Sequence, residues 1–294
     1  MESLEEAEYC YNPKACPCPA LCHPDLPAFS IFDIPRLSKD KKADLLTQGI
    51  RAACDIPPAF AMSDKQQAIA QLARTNREQI DRAAIAAELG QLTYPLYFLD
   101  YETCISALPL YDGYHPQQQV VFQYSLHRLA EPGGELTHRE FIATGTAEPS
   151  RALLQQLRED IGETGTVISW NKSFEMTCNK DMALLHSDYA DFLAALNDRI
   201  YDLGDIISKG YYLHPGFKGS WSIKPVLPVM VPTLSYEELA INKGDQASMA
   251  WWKMQHTDIG PAEKEQLVRD LLRYCALDTL AMVEIYRRFL AIIQ

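Results

Sequence analysis

Leu96-Tyr97-Phe98-Leu99-Asp100-Tyr101-Glu102-Thr103 is the stretch on which the fold turns. Its first four residues form a short apolar run suited to a buried strand, and two acids follow it, two residues apart. Side chains at that spacing leave a strand on the same face, so Asp100 and Glu102, at the strand's end, aim two hard oxygen ligands at one point. Downstream, residues 119–127 and 136–142 read as two more strands, separated by the turn signal Glu131-Pro132-Gly133-Gly134. A helical pattern covers 147–162, a fourth strand 166–170, and a further helix 173–186. Residues 206–236 read as irregular. Pro261 then opens a long helix that runs to Ile293. Strands followed by helices predict an α/β domain over residues 94–294, a mixed sheet flanked by helices.

Upstream the character changes twice. Residues 1–36 are rich in Cys and Pro with little periodicity and read as a small Cys-rich metal-binding segment. Residues 37–93 alternate short helical patterns with breaks at Gly49 and Pro57-Pro58 and read as a helical connector. A chain of 294 residues with 47% hydrophobic residues can bury a full core. Its first twenty residues are acidic and Cys-rich, not basic then apolar, and no stretch reaches the ~18 apolar residues needed to span a bilayer. The expectation is a cytoplasmic protein without membrane contact. The formal net charge of −12 repels nucleic acid as a whole, which weighs against a general coating protein. It leaves a nuclease open, because catalytic carboxylates are negative until divalent cations fill the site, and a local basic groove can still guide one strand.

Two more acids complete the constellation. Trp170-Asn171-Lys172-Ser173-Phe174-Glu175 puts Glu175 just past a strand, with Asn171 either supporting the site or capping the following helix. Tyr274-Cys275-Ala276-Leu277-Asp278 lies inside the terminal helix, where a spacing of four sets Tyr274 and Asp278 on one face. Like charges brought together are costly unless cations sit between them, and two Mg²⁺ or Mn²⁺ ions ~4 Å apart suit in-line phosphoryl displacement. Tyr274 would orient water or the scissile phosphate. Taken singly, each acid is as readily a surface or turn feature; the order acid pair, Asn-x-x-Phe-acid, Tyr-x-x-x-Asp is what points to chemistry.

These motifs resemble the DEDD superfamily of 3′-to-5′ exonucleases, in the branch whose last motif is Tyr-x-x-x-Asp. The resemblance implies a ribonuclease H-like fold, metal-ligand roles for Asp100, Glu102, Glu175 and Asp278, and a water-positioning role for Tyr274. The third acid is usually Asp and here is Glu175, one methylene longer. Nearly the whole chain also resembles a bacterial family in which this domain follows a RecB-like nuclease domain, through Phe122-Gln123-Tyr124-Ser125-Leu126-His127, Ile200-Tyr201-Asp202-Leu203, Ser220-Trp221-Ser222-Ile223-Lys224 and Leu234-Ser235-Tyr236. That implies a RecB-like nuclease domain or subunit as partner, with this chain a stand-alone relative or a fragment.

Cys10, Cys16, Cys18 and Cys22, followed by His23, fall within thirteen residues. Four thiolates can close a tetrahedral Zn²⁺ site or hold an iron–sulfur cluster, and the bland alternative is free thiols in a loose arm. In the RecB-like relatives, cysteines corresponding to Cys10, Cys16 and Cys22 are similar to those that bind a 4Fe-4S cluster with one distant upstream cysteine, for which Cys18 or His23 would substitute here. The segment 206–236 holds no Asp or Glu, while Lys209, Lys218 and Lys224 alternate with Tyr211, Tyr212, Phe217 and Trp221. Lysines hold phosphates and aromatics stack on unpaired bases, although half of these rings would equally serve a core. Asn171, Lys172, Phe174, Trp221 and Lys224 are the expected substrate contacts. His115, His214 and His256 read as surface or hydrogen-bonded residues. The expected function is a Mg²⁺- or Mn²⁺-dependent 3′-to-5′ exonuclease on single-stranded DNA or RNA, and the rival is a nucleic-acid-binding accessory subunit that hydrolyses nothing.

Overall fold

A computed structural model describes residues 25–294. Cys10, Cys16, Cys18 and Cys22, and with them the expected iron–sulfur or zinc site, lie outside the described residues. In chain order the first elements are helices α1 (Lys39–Thr47) and α2 (Asp64–Thr75), strand β1 (Gln79–Ile80) and helix α3 (Arg82–Leu89). Strands β2 (Leu96–Cys104), β3 (Val120–Leu129) and β4 (Leu136–Ile142) follow, then helix α4 (Ser150–Asp160), strand β5 (Thr166–Ser169), and helices α5 (Ser173–Leu185) and α6 (Ala190–Asn197). The remainder is strand β6 (Ile200–Asp202), helix α7 (Asp205–Ser208), strand β7 (Tyr212–Leu213), and helices α8 (Ile223–Met230), α9 (Gly244–His256) and α10 (Pro261–Ile293).

The chain divides into two compact units. One comprises residues up to Ala84 with Ile206–Val229, and the other comprises Ile85–Asp205 with Met230–Gln294. Residues 206–229, read from the sequence as part of a 94–294 domain, therefore cluster with the N-terminal residues. Nor is 206–236 irregular throughout. It contains β7 and α8, and α8 was hidden by Pro225 and Pro228, since proline inside a helix removes a backbone donor and argues against the element. Helix α9 was likewise not anticipated. The run 64–89 is two helices, because Asn76 takes the left-handed conformation (φ 49°) and ends α2.

The larger unit has the expected α/β character: a five-stranded mixed sheet in the order β4-β3-β2-β5-β6. Strands β2, β5 and β6 run parallel, while β3 is antiparallel to β2 and β4 to β3. Alternation along β2 assigns its two faces. Tyr97, Leu99 and Tyr101 join Leu153, Leu157, Cys178 and Leu193 of α4, α5 and α6 in one core. The even-numbered residues face the other way, where Phe98 meets Tyr286 of α10 with ring centroids 5.8 Å apart. Helix α10 begins with Pro261 at its first turn and buries Leu271, Tyr274, Cys275, Asp278 and Met282, a stripe at i, i+3, i+4, i+7 and i+11.

A row of buried polar groups fixes where that helix sits. Gln123, Ser125 and His127 of β3 stand opposite Glu102, Asp100 and Phe98 in the ladder. Gln123 Nε2 donates to the Leu271 carbonyl at 2.9 Å, and both Ser125 Oγ and His127 Nδ1 lie 2.7 Å from Thr279 Oγ1. Buried polar groups hold their partners in one geometry because the alternative is an unpaired group. The helix can neither slide nor turn without breaking this row. The ladder then shifts register beside Glu102, where Phe122 is an extra residue on β3, and its ring stacks on Trp251 of α9 at 4.7 Å.

In the smaller unit the core is Ile31, Ile34, Leu37, Leu45, Ile56 and Ile69. Ser63 caps α2 reciprocally with Gln66, whose side chain also donates to the Pro35 carbonyl at 3.0 Å. β1 and β7 form a two-stranded antiparallel pair.

Candidate metal centre

Asp100 and Glu102 were expected at the end of a strand, and they lie in the last five residues of β2. β2 continues to Cys104 because β3 pairs with it along its whole length. On its other side the parallel partner β5 pairs only with Leu96–Phe98, so the ladder on that side has ended where Asp100 begins. The site sits at the carboxyl ends of the parallel strands β2, β5 and β6, the place where open α/β sheets leave room for ligands.

Two elements supply three of the acids. Asp100, half-buried, and Glu102, 7% exposed, come from β2; Asp278, 8% exposed, comes from α10 with buried Tyr274 and Cys275. Ligand atoms of Asp100, Glu102 and Cys275 lie within 4.8 Å of one another, and Cys275 Sγ is 3.7 Å from Asp100 Oδ2. Burial pushes the Asp100 carboxyl well above the usual carboxylate range, and the charges of Asp278, Glu102 and Glu175 push it the same way. Burial and the charges of Asp100, Glu102 and Asp278 also raise the Cys275 thiol and the Tyr274 phenol, so Tyr274 remains a protonated donor. Tyr236, which sequence reasoning passed over as a site residue, donates its hydroxyl to Asp278 Oδ1 at 2.6 Å.

Glu175 comes from the first turn of α5 and is 1% exposed. Burial, reinforced by the Asp202 charge, pushes its carboxyl up to about 8. Its Oε2 has no hydrogen-bond partner.

Asp202, at the end of β6, builds the loop before α5. Its carboxylate accepts the backbone N–H groups of Asn171 (3.1 Å), Lys172 (2.9 Å) and Gly204 (3.0 Å). Asn171 holds a left-handed backbone (φ 70°), and its side chain accepts from Ser173 Oγ at 2.9 Å, so it is engaged with its own turn. Lys172 is half-buried, and Phe174 packs against the core shared by α4, α5 and α6. Trp221 and Lys224 belong to the smaller unit. A signal for Asp202 existed in Ile200-Tyr201-Asp202, an acid ending a short apolar run, as Asp100 does.

The residues fit divalent cations. Their donors are mainly carboxylate oxygens, which hard cations take; their charges repel one another; and a buried carboxylate oxygen of Glu175 lacks a partner. Among the described residues no helix is long and apolar enough to cross a membrane.

Residues 97–222 match the family described as Domain of unknown function (DUF2779). The chain is similar to an uncharacterized protein of Ureaplasma parvum, 27% identical across 89% of this chain and 41% of that protein. It is also similar to uncharacterized proteins of Mycoplasma pneumoniae and Mycoplasma genitalium, each 25% identical across 64% of this chain and 31% of the relative. The chain thus spans well under half the length of these relatives. No solved structure matches it. The matched segment 97–222 carries Asp100, Glu102, Glu175 and Asp202, and Tyr274 and Asp278 lie beyond it.

Proposed function

We propose that the chain is a divalent-metal-dependent nuclease that hydrolyses phosphodiester bonds from the 3′ end of single-stranded DNA or RNA. The observation that carries this reading is the convergence of Asp100 and Glu102 from β2, whose ligand atoms lie within 4.8 Å of one another, with Asp278 from α10, where burial and the neighbouring acids raise the Asp100 carboxyl well above the usual carboxylate range. Asp100, Glu102, Asp278 and, from α5, Glu175 would hold Mg²⁺ or Mn²⁺. Such ions supply positive charge that polarises water and phosphate oxygens. Tyr274 keeps its proton and would donate it in a hydrogen bond that orients water or a phosphate oxygen. Tyr236 fixes the orientation of the Asp278 carboxylate by donating its hydroxyl to Oδ1. The polarity of digestion and the count of two ions rest on the resemblance to DEDD exonucleases with a ribonuclease H-like fold.

The test is digestion of an end-labelled single strand with Mn²⁺. Intact protein should shorten the strand from its 3′ end, and Asp100→Ala should not. If both leave the strand equally untouched, the hydrolytic reading is wrong.

A second reading, a nucleic-acid-binding accessory subunit for a partner nuclease, draws on the same geometry. Tyr236 already occupies Asp278 Oδ1, and the Cys275 thiol lies against Asp100 Oδ2, so part of the ligand set is engaged within the protein. Such a chain would bind strands and leave them whole.

A further inference from the structure

We propose that Cys275 turns the carboxylate centre into a mixed oxygen–sulfur site, where Asp100, Glu102 and the Cys275 sulfur together take one thiophilic divalent cation, Zn²⁺. This assignment deepens the function proposed above: it rests on the cation-binding part of that reading and requires no hydrolysis.

The fold holds the sulfur where a ligand would stand. Cys275 is fully buried in α10, and its Sγ lies 3.7 Å from Asp100 Oδ2 and 3.8 Å from the Asp100 carbonyl oxygen. One ligand atom from each of Asp100, Glu102 and Cys275 lies within 4.8 Å of the other two. Around a tetrahedral Zn²⁺, with sulfur at ~2.3 Å and carboxylate oxygen at ~2.0–2.2 Å, neighbouring ligand atoms stand roughly 3.5 Å apart. The sulfur and the Asp100 oxygen therefore already have nearly the separation of two ligands on one ion. Nor can the thiol move off easily. Gln123 holds α10 one turn before Cys275, at the Leu271 carbonyl, and Ser125 and His127 hold it one turn after, at Thr279.

Two buried oxygens point to a ligand independently of the thiol. Gln123 stands opposite Glu102 in the ladder, and residues paired in this way share a face. Its Nε2 is committed to Leu271, and its buried Oε1 has no hydrogen-bond partner. Glu175 Oε2 is likewise buried and unpartnered, and the Glu175 charge reaches Asp100. Buried polar atoms without partners are rare, so two of them beside one acid cluster call for a cation or an ordered water. Sulfur decides which cation. Mg²⁺ takes oxygen ligands in a near-octahedral array and gains nothing from a thiol. Zn²⁺ binds thiolate and carboxylate together, and a thiol that coordinates gives up its proton. Bound there, Zn²⁺ withdraws Asp100 and Glu102 from the hard cations that hydrolysis would use.

The experiment titrates Co²⁺, a spectroscopic stand-in for Zn²⁺, into the whole metal-free chain without oxygen and follows the near-ultraviolet thiolate-to-metal charge-transfer band. The band is read as the difference between the parent and Cys275→Ser, so that thiols elsewhere in the chain cancel, with far-ultraviolet circular dichroism reporting the fold. A saturable difference band is expected, and Asp100→Asn, whose thiols are intact, should lack it too. Should Cys275→Ser unfold, Asp100→Asn supplies the reference instead. Equimolar Zn²⁺ should bleach the band, and excess Mg²⁺ should not. By calorimetry, Cys275→Ser should weaken Zn²⁺ binding at this centre about a hundredfold, the upper end of what even an outer-shell partner costs, and leave Mn²⁺ binding nearly unchanged. No difference band, a band that survives in Asp100→Asn, or equal weakening of Zn²⁺ and Mn²⁺ would overturn the assignment and leave the thiol a packing residue that donates to Asp100. Mn²⁺ uptake without the band sinks the sulfur ligand alone, and loss of both sinks the cation reading as well.

Discussion

The carboxylate cluster around Asp100 is buried among groups of its own sign, whereas in the smaller unit the cleft between α2 and residues 207–221 carries Arg36, Asp64, Lys65 and Lys209 exposed at its rim. The net charge of −12 averages over the two and describes neither. In the first region charge is concentrated where water cannot screen it, so the fold carries an electrostatic cost that only protons or cations relieve. In the second, solvent bears most of the cost, and the fold needs no ligand there. A region that needs its ligand should betray it in stability as well as in activity; a region whose charges water screens should lose one with little change in stability.

The largest expected effect separates the two. Asp100→Asn should lower Mn²⁺-dependent hydrolysis by about a thousandfold or more, the scale on which metal-assisted reactions depend on their ligands. The same substitution should raise the melting temperature in EDTA, because it removes a repelled buried charge. Lys209→Gln should leave that temperature within a degree or so, as surface changes usually do. Comparable shifts from both variants would erase the distinction.

Next comes the frame of the centre. Asp202→Ala removes the acceptor of three backbone N–H groups and should cost about 3 kcal/mol in urea unfolding, with Asp202→Asn recovering part of it. A loss within experimental error would show that the loop before α5 holds itself.

The polar row behind the centre should titrate. Burial, helped by the adjacent His138, pulls His127 down to about 4 from an ordinary value of 6.5. The unfolded chain therefore takes up this proton first. Stability from the neutral ring is fully present above pH 6.5, declines as the pH falls towards 4 and levels off below it, a loss on the order of 3 kcal/mol. His127→Gln should flatten the wild-type slope in that window, measured by urea unfolding in EDTA. An unchanged slope would assign the acid sensitivity elsewhere. The smallest effect is expected from Tyr236→Phe, which removes one hydrogen bond to Asp278 and should weaken Mn²⁺ uptake about tenfold without unfolding the chain.

What was readable in the sequence was whatever depends on short spacing. Leu136–Ile142 and Pro261–Ile293 were legible residue for residue, because one alternates and the other begins at proline and carries a helical stripe. The pairing of Asp100 with Glu102, and of Tyr274 with Asp278, follows from strand and helix periods alone. Groups brought in by tertiary packing left weaker marks. Tyr236 and Asp202 stand in segments with no period that points at the acids, and nothing in its spacing marked Cys275 as the neighbour of Asp100 that the packed helix makes it. The segment 206–236 misled for a different reason. Its prolines broke the helical pattern, and its lysines and rings were credited to one domain when residues 206–229 belong to the other unit.

The most direct test of the shared cation site is a calorimetric titration of Mn²⁺ into metal-free chain and into Asp100→Asn. Saturable uptake by the parent, weakened about a hundredfold in a variant that melts higher in EDTA, is the predicted result. Absence of saturable uptake, or superimposable isotherms for the two proteins, would contradict it.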